Sequence, residues 1–174
     1  MNDYLLSDGR ELEIRLAEES DMGEAAETFR QVASERVYLD TEEVPHETAG
    51  IWGERWKENG KDSLFAIGAV GGRIIGGLVL TPYSRSPKSS HVRTLGMWIL
   101  KEFRGLNAGN SLIDYAMEWG RARSISKIHL GVFSSNTGAI GLYIKKGFQV
   151  EGSLKNNALI NGTLVDEIFM GLEL

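Results

Sequence analysis

Two stretches of the 174-residue sequence concentrate side chains that could do chemistry. In KEFRGLNAGNSLIDYA (101–116), Arg104, Gly105, Asn107, Gly109, Asn110 and Ser111 crowd the hinge between an apolar stretch and a helix-like one. A strand-to-helix turn needs one glycine at most. Two glycines and two asparagines, which tolerate left-handed backbone, let successive N–H groups face outward beside a cation. At a helix start about four N–H groups lack an intrahelical partner, and the helix dipole adds roughly half a positive charge. The hinge therefore reads either as an anion site able to hold a pyrophosphate or as a long irregular turn. It is neither the GxGxxG of dinucleotide binders nor a phosphate loop ending in Gly-Lys-Ser/Thr.

The second stretch is NTGAIGLYIKKGF (136–148). Asn136 and Tyr143 are seven apart, so on a helix they share a face about 10 Å apart. Taken alone, the pair also reads as a helix N-cap and a core aromatic.

The rest of the chain narrows the setting. With 42% hydrophobic and 25% charged residues it can bury a full core, and its length suits one domain over 1–174. A formal net charge of −5 argues against a nucleic-acid or anionic-membrane binder. There is no cysteine, hence no disulfide, thiolate nucleophile or cysteine-based zinc site. His46, His91 and His129 lack HxxxH or HExxH spacing, so no metal is expected. No signal pattern or membrane-length apolar run is visible, and the expected location is cytoplasmic.

The elements that must position the two stretches follow from periodicity. Leu12, Ile14 and Leu16 alternate as in a half-buried strand, with YLL (4–6) as a short partner across Asp8-Gly9. Asp21 and Glu24 suggest a capping box opening a helix to about Glu35. A polar loop (39–50) leads to a second short helix with Ile51, Trp52 and Trp56 inward. Strands follow at 63–70 and 73–83, hinged on Gly71-Gly72, and at 91–100. A helix at 111–124 buries Leu112, Ile113, Ala116 and Trp119; a strand at 127–133 and a helix at 136–147 come next. Two last strands flank Asn161-Gly162. A strand–helix–strand unit in the middle implies a parallel pair, and hairpins elsewhere imply a mixed, mostly antiparallel sheet in one α/β (α+β) domain.

Residues Leu95–Gly152 resemble the GNAT superfamily of acetyl-CoA-dependent N-acetyltransferases. The family's phosphate loop, Arg/Gln-x-x-Gly-x-Gly/Ala, reads here Arg104-Gly105-Leu106-Asn107-Ala108-Gly109. Asn107 replaces the first glycine of the pattern; asparagine is the best non-glycine for left-handed backbone, so the loop shape is expected to survive. The second motif, Asn-x-x-Ala-x-x-Leu-Tyr-x-Lys-x-Gly-Phe, is met at Asn136, Ala139, Leu142, Tyr143, Lys145, Gly147 and Phe148. The element order is also the family's.

The resemblance implies acetyl-CoA as acyl donor, with no metal. Backbone groups of Met97, Trp98 and Ile99 would pair with the pantetheine arm. Arg104, Gly105, Leu106, Asn107, Ala108 and Gly109, with Asn110 and Ser111 of the first helical turn, would wrap the pyrophosphate. Asn136, Ala139 and Lys145 would complete the binding set, and Tyr143 would face the thioester sulfur. The two parallel strands would splay to admit the donor.

The implied reaction is direct attack of a primary amine on the thioester, which needs no enzyme nucleophile. The acceptor is a small-molecule amine or a protein N-terminus or lysine; the rival reading is a CoA-binding sensor or structural subunit. A base must take the ammonium proton. The strand preceding the hinge offers His91 but no acid, and histidine's ordinary range spans neutrality. Glu42 and Glu43, in a loop that lines the acceptor pocket in the family, are the other candidates, followed by Asp166 and Glu167 on the last strand. Each also reads as a solvated surface group. A homodimer is left open.

Overall fold

A computed structural model describes residues 2–59 and 62–174. One eight-stranded sheet runs in the order β1-β2-β3-β4-β5-β6-β8-β7. Its strands are β1 (Asn2–Leu5), β2 (Glu11–Leu16), β3 (Leu64–Val70), β4 (Arg73–Pro82), β5 (Val92–Ile99), β6 (Lys127–Phe133), β7 (Gln149–Ile160) and β8 (Thr163–Glu173). The helices are α1 (Met22–Ala33), α2 (Thr48–Asn59), α3 (Ala108–Arg121) and α4 (Thr137–Lys145). All neighbouring strands are antiparallel except β5 and β6. The β7–β8 hairpin turns on Asn161 (φ +50°) and Gly162 (φ +77°), the double left-handed turn that Asn-Gly favours.

Helices α1 and α2 cover one face of the sheet and α3 the other. The first face is built around Trp98. Its indole N–H donates to Thr28 Oγ1 at 3.0 Å on α1, and its ring packs against Phe29, Trp52 and Phe65. Gly77 on β4 makes this possible, because a Cβ there would lie 2.5 Å from the indole. On the opposite face, Leu112, Ile113, Ala116 and Trp119 of α3 are buried as their spacing predicts.

Two local expectations are corrected. Asp21 does not cap α1: it accepts two hydrogen bonds from Arg15 and one from the Glu18 N–H, while Glu24 accepts from the Ile74 N–H on β4. The capping box belongs instead to Glu18 and Asp21, around the 3-10 turn Glu19–Asp21. Tertiary partners outbid the local pattern because two charged hydrogen bonds to one guanidinium exceed one cap bond. Ile51 is exposed rather than inward, while Trp52 joins the aromatic cluster; the placement expected for the Trp56 side chain lies outside the described residues.

Candidate active site

Strands β5 and β6 pair only at Val92–Lys127, Arg93–Ile128 and Thr94–His129. Beyond Thr94 they part. β5 stays bonded to β4 through Ile99, and β6 stays bonded to β8 through Phe133, so each strand is held from its outer side. Beyond the split the inner edges, apart from the Ile99 carbonyl that Arg104 takes, offer backbone groups to an extended ligand, since a strand edge is a row of unpaired donors and acceptors. A cavity of about 560 Å³ occupies the gap, lined by Leu95–Ile99, Gly131 and Val132, Arg104, Gly105 and Gly109 of the hinge, the start of α4, and Tyr38–Asp40.

At one end of this cavity the hinge enters α3. Gly105 (φ +73°) and Asn107 (φ +78°) both take left-handed backbone, as the asparagine substitution predicts. No side chain caps α3. The N–H groups from Gly105 to Asn110 have no hydrogen-bond partner among the described residues. That run at a helix start is an anion cradle. Gly109 lines the cavity and is buried; its missing Cβ would lie 2.8 Å from Leu142 Cδ2 of α4.

Arg104 corrects the simplest picture of that cradle. Its guanidinium donates to both carboxylate oxygens of Glu35 at 2.8 and 2.5 Å, its Nε donates to the Ile99 carbonyl, and it lies over the Tyr38 ring. The cation is already neutralised, so the free N–H groups carry the anion-binding character and Arg104 ties the end of α1 to the hinge. The hydrogen bond from Arg104 holds the Glu35 carboxyl below the ordinary glutamate range. Its contribution is therefore present above an unfolded value near 4.3 and is lost as pH falls through the folded value. Glu35→Gln is expected to cost about 1–3 kcal/mol, seen as a thermal midpoint lower by about 2–12 °C at pH 7. The gap to the parent should narrow as pH falls below about 4 toward the folded value; a gap that does not narrow would show that charge pairing is not its source.

At the other end stands α4. Asn136 lines the cavity and is the N-cap of α4, its Oδ1 accepting from the Ala139 N–H at 3.2 Å, while its amide N–H₂ has no partner among the described residues. Two turns on, Tyr143 lines the cavity at 7% exposure, its ring against Phe148 at 5.4 Å. Its hydroxyl has no hydrogen-bond partner among the described residues. Burial pushes the Tyr143 phenol up to about 12, so it is a neutral donor across the physiological range.

Other candidates fall elsewhere. His91 lies at the closed end of the β5–β6 pair, its carbonyl bonded to Ser126 and Lys127, four residues before the first cavity residue of β5. That is about 13 Å of strand, so it stands outside the cavity. Glu42 and Glu43 are exposed outside the cavity, Glu42 lying 3.7 Å from Arg36; the loop contributes Asp40 instead. Asp166 is paired with Lys155. Lys145 is exposed and outside the lining; its neighbour Lys146 binds Asp114 and ties α4 to α3. Leu106, Ala108 and Asn110 lie in the cradle through their backbone N–H groups, whereas the expected Ser111 is not free, its N–H donating to the Asn107 carbonyl; the Ala108 and Ser111 side chains are buried. The Glu35 brace has no sequence signal, because its partner is 69 residues away. Among the described residues no three His, Asp or Glu side chains gather as a metal would require, and no helix is long and apolar enough to cross a membrane.

An L-amino acid N-acetyltransferase of Escherichia coli K12, AaaT, is 34% identical over 166 residues, covering 92% of this chain and 96% of that protein. A GNAT-family acetyltransferase from Streptococcus pneumoniae superposes with a TM-score of 0.84 at 26% identity, covering 94% of this chain and 99% of the other. A phosphinothricin acetyltransferase from Sinorhizobium meliloti, solved in complex with acetyl-CoA, shares the fold at TM-score 0.85 and 18% identity, covering 94% and 88%. The sequence profile of the Acetyltransferase (GNAT) family matches residues 22–148, which hold the split strands, the cradle and Tyr143. The chain therefore belongs to the GNAT acetyltransferase family and is an acyltransferase.

Proposed function

We propose that the protein moves the acetyl group of acetyl-CoA to a primary amine, and that the α-amine of an L-amino acid is the first acceptor class to test. The observation that carries this reading is one cavity with two chemically distinct ends. Six free N–H groups suited to a pyrophosphate stand at one end, and an unpartnered buried phenol stands at the other. The unpaired edges of β5 and β6 between them suit the amide groups of a pantetheine arm. Asn136 offers a further donor beside that arm. The acceptor class draws its support from the relative that is named an L-amino acid N-acetyltransferase.

The energetics favour a particular role for Tyr143. A leaving thiolate has an ordinary pKa near 8.5, and the Tyr143 phenol stands at about 12. Complete proton transfer from phenol to sulfur is uphill by about 3.5 units, or roughly 4.8 kcal/mol. Tyr143 therefore acts by donating a hydrogen bond to the sulfur as negative charge builds, and the proton that ends on sulfur comes from the attacking amine. The amine must first be neutral, which for an alkyl ammonium at pH 7 costs about 4.6 kcal/mol.

Thiol release from acetyl-CoA across a panel of the L-amino acids, with simple amines and peptides beside it, is the test. Turnover with at least one L-amino acid is expected. Binding of acetyl-CoA by calorimetry with no acceleration by any amine would overturn amine transfer and favour a CoA-binding role. Turnover of peptides alone would move the acceptor to protein N-termini or lysines.

A further inference from the structure

We propose that the open face of β6 and β8 is the acceptor subsite, where Glu167 receives the acceptor's ammonium group and His129 takes its proton. The assignment rests on the transferase reading above.

Strand register defines this face. Paired residues share a face, so Thr94, His129 and Gly171 lie together, followed by the pairs Gly131–Phe169 and Phe133–Glu167. By alternation this is the face of Trp98, opposite α3. Helix α1 packs on β4 and β5. Over β6 and β8 the same face is partly open: Gly131 is exposed, and His129, Glu167 and Phe169 are half-buried.

Gly131 is the link to the donor. It lines the cavity, and a Cβ at that position would lie 2.6 Å from Glu167 Oε1. The carboxylate therefore crosses the bare backbone of Gly131 at the cavity's edge, where a Cβ would push it aside. Glu167 Oε2 is held by the Asn157 side-chain N–H at 2.7 Å, and Oε1 has no partner among the described residues. A positioned carboxylate with one free oxygen at the mouth of a thioester site suits an ammonium.

His129 is the last paired residue before the split and stands two residues, about 7 Å of strand, from Gly131. Its ring is stacked on Phe169 at 5.6 Å and meets the edge of Tyr83 at 5.3 Å. Its Nδ1 is buried and has no hydrogen-bond partner among the described residues. An imidazole kept only for packing would be replaceable here by an apolar side chain, and a structural one would have its ring nitrogen bonded. Burial lowers its pKa, with Lys127 acting in the same direction and Glu151 and Glu167 opposing. Lys127 and Glu151 pair with each other at 2.5 Å, and the Tyr83 ring completes the surroundings. Burial thus favours the uncharged imidazole, the form able to accept a proton, and with Nδ1 buried the accepting atom is Nε2.

The step balances. His129 takes one proton from the ammonium, and the freed nitrogen lone pair forms the C–N bond at the acetyl carbon. The C–S bond breaks with its electron pair on sulfur, opposite the Tyr143 hydroxyl. A second proton passes from nitrogen to sulfur, giving the amide and the free thiol, and the imidazolium returns its proton to solvent.

The test compares variants with the L-amino acid that the parent acetylates fastest. His129→Gln should lower kcat about 100-fold at pH 7 and remove the acidic limb of the kcat profile, which in the parent should fall below pH 6.5. Glu167→Gln should raise the acceptor's KM at least tenfold, more than it lowers kcat. Acetyl-CoA affinity should stay within threefold in both. A limb that survives in His129→Gln, or an unchanged KM in Glu167→Gln, overturns the assignment. If Tyr143→Phe slows turnover while His129→Gln does not, the transferase reading stands and this one falls. Should His129→Gln fail to fold, or no L-amino acid be turned over, the parent still decides the matter by NMR. n-Butylammonium chloride is expected to shift the His129 ring and Gly131 resonances, and the absence of any shift overturns the subsite.

Discussion

Tyr143→Phe is expected to lower turnover by about 10- to 1,000-fold while acetyl-CoA affinity stays within about threefold. The ring of Tyr143 packs on Phe148 and is almost wholly buried, so phenylalanine keeps the packing and the helix. Only the hydroxyl goes, and no protein group among the described residues depends on it. In the ground state the thioester sulfur is a poor acceptor, and the hydroxyl gains little there. As the C–S bond breaks the sulfur becomes anionic, and a neutral donor in a dry site is worth most at that moment. An interaction made mainly in the transition state lowers kcat and kcat/KM together. Because burial holds the phenol near 12, the parent should show no alkaline decline assignable to Tyr143 below about pH 10. Steady-state thiol release beside a calorimetric titration checks the first claim. An unchanged rate, with no pre-steady-state burst to reveal slow product release, would remove Tyr143 from the chemistry.

Gly109→Glu is expected to weaken acetyl-CoA binding more than 100-fold. Gly109 is the second residue of α3, inside the run of free N–H groups, with Leu142, Ile99 and Met97 around its missing side chain. A single methyl would meet Leu142 Cδ2 at 2.8 Å, a flexible side-chain end that can turn aside. Gly109→Ala should therefore cost only about threefold to tenfold. Glutamate adds a longer chain and a negative charge where the ligand's own charge must sit. Gly109→Lys separates the two effects, because it keeps the bulk and reverses the charge. Recovery of part of the affinity in the lysine variant would identify electrostatics as the larger share. Calorimetry on the three variants, with thermal unfolding as the check on folding, decides the outcome. Affinity in Gly109→Glu within threefold of the parent is under 1 kcal/mol and would move the pyrophosphate elsewhere.

Local order was legible because its causes are local. Alternation and helical spacing located seven of the eight strands and all four helices, with the short first strand (Asn2–Leu5) suggested only as a partner at 4–6, and Asn161-Gly162 and Gly71-Gly72 marked their hairpins through left-handed turns that few other residues adopt. The hinge at 104–111 was readable for the same reason: Gly105 and Asn107 declare the backbone they take. The spacing of Asn136 and Tyr143 carried their shared face, because two helical turns is a property of the helix alone.

Long-range pairings escaped the sequence. Arg104 looked like a free cation beside an anion site, yet Glu35 from the end of α1 holds it on both nitrogens. Asp21 and Glu24 matched a capping pattern, yet Arg15 and the β4 backbone claim them. His91 shared a strand with the cavity residues, but the split begins only after Thr94 and leaves it at the closed end. The composition and periodicity of the chain determined which elements form, their order and the chemistry of the hinge and of α4. Tertiary structure alone decided where the sheet opens and which charges are already paired. It also decided which face of β6 and β8 confronts the cavity, bringing Glu167 across Gly131 and His129 beside Thr94. The physical reason is that a backbone conformation is set by neighbours in the chain, whereas a site on an open sheet edge is set by register between strands that the sequence keeps far apart.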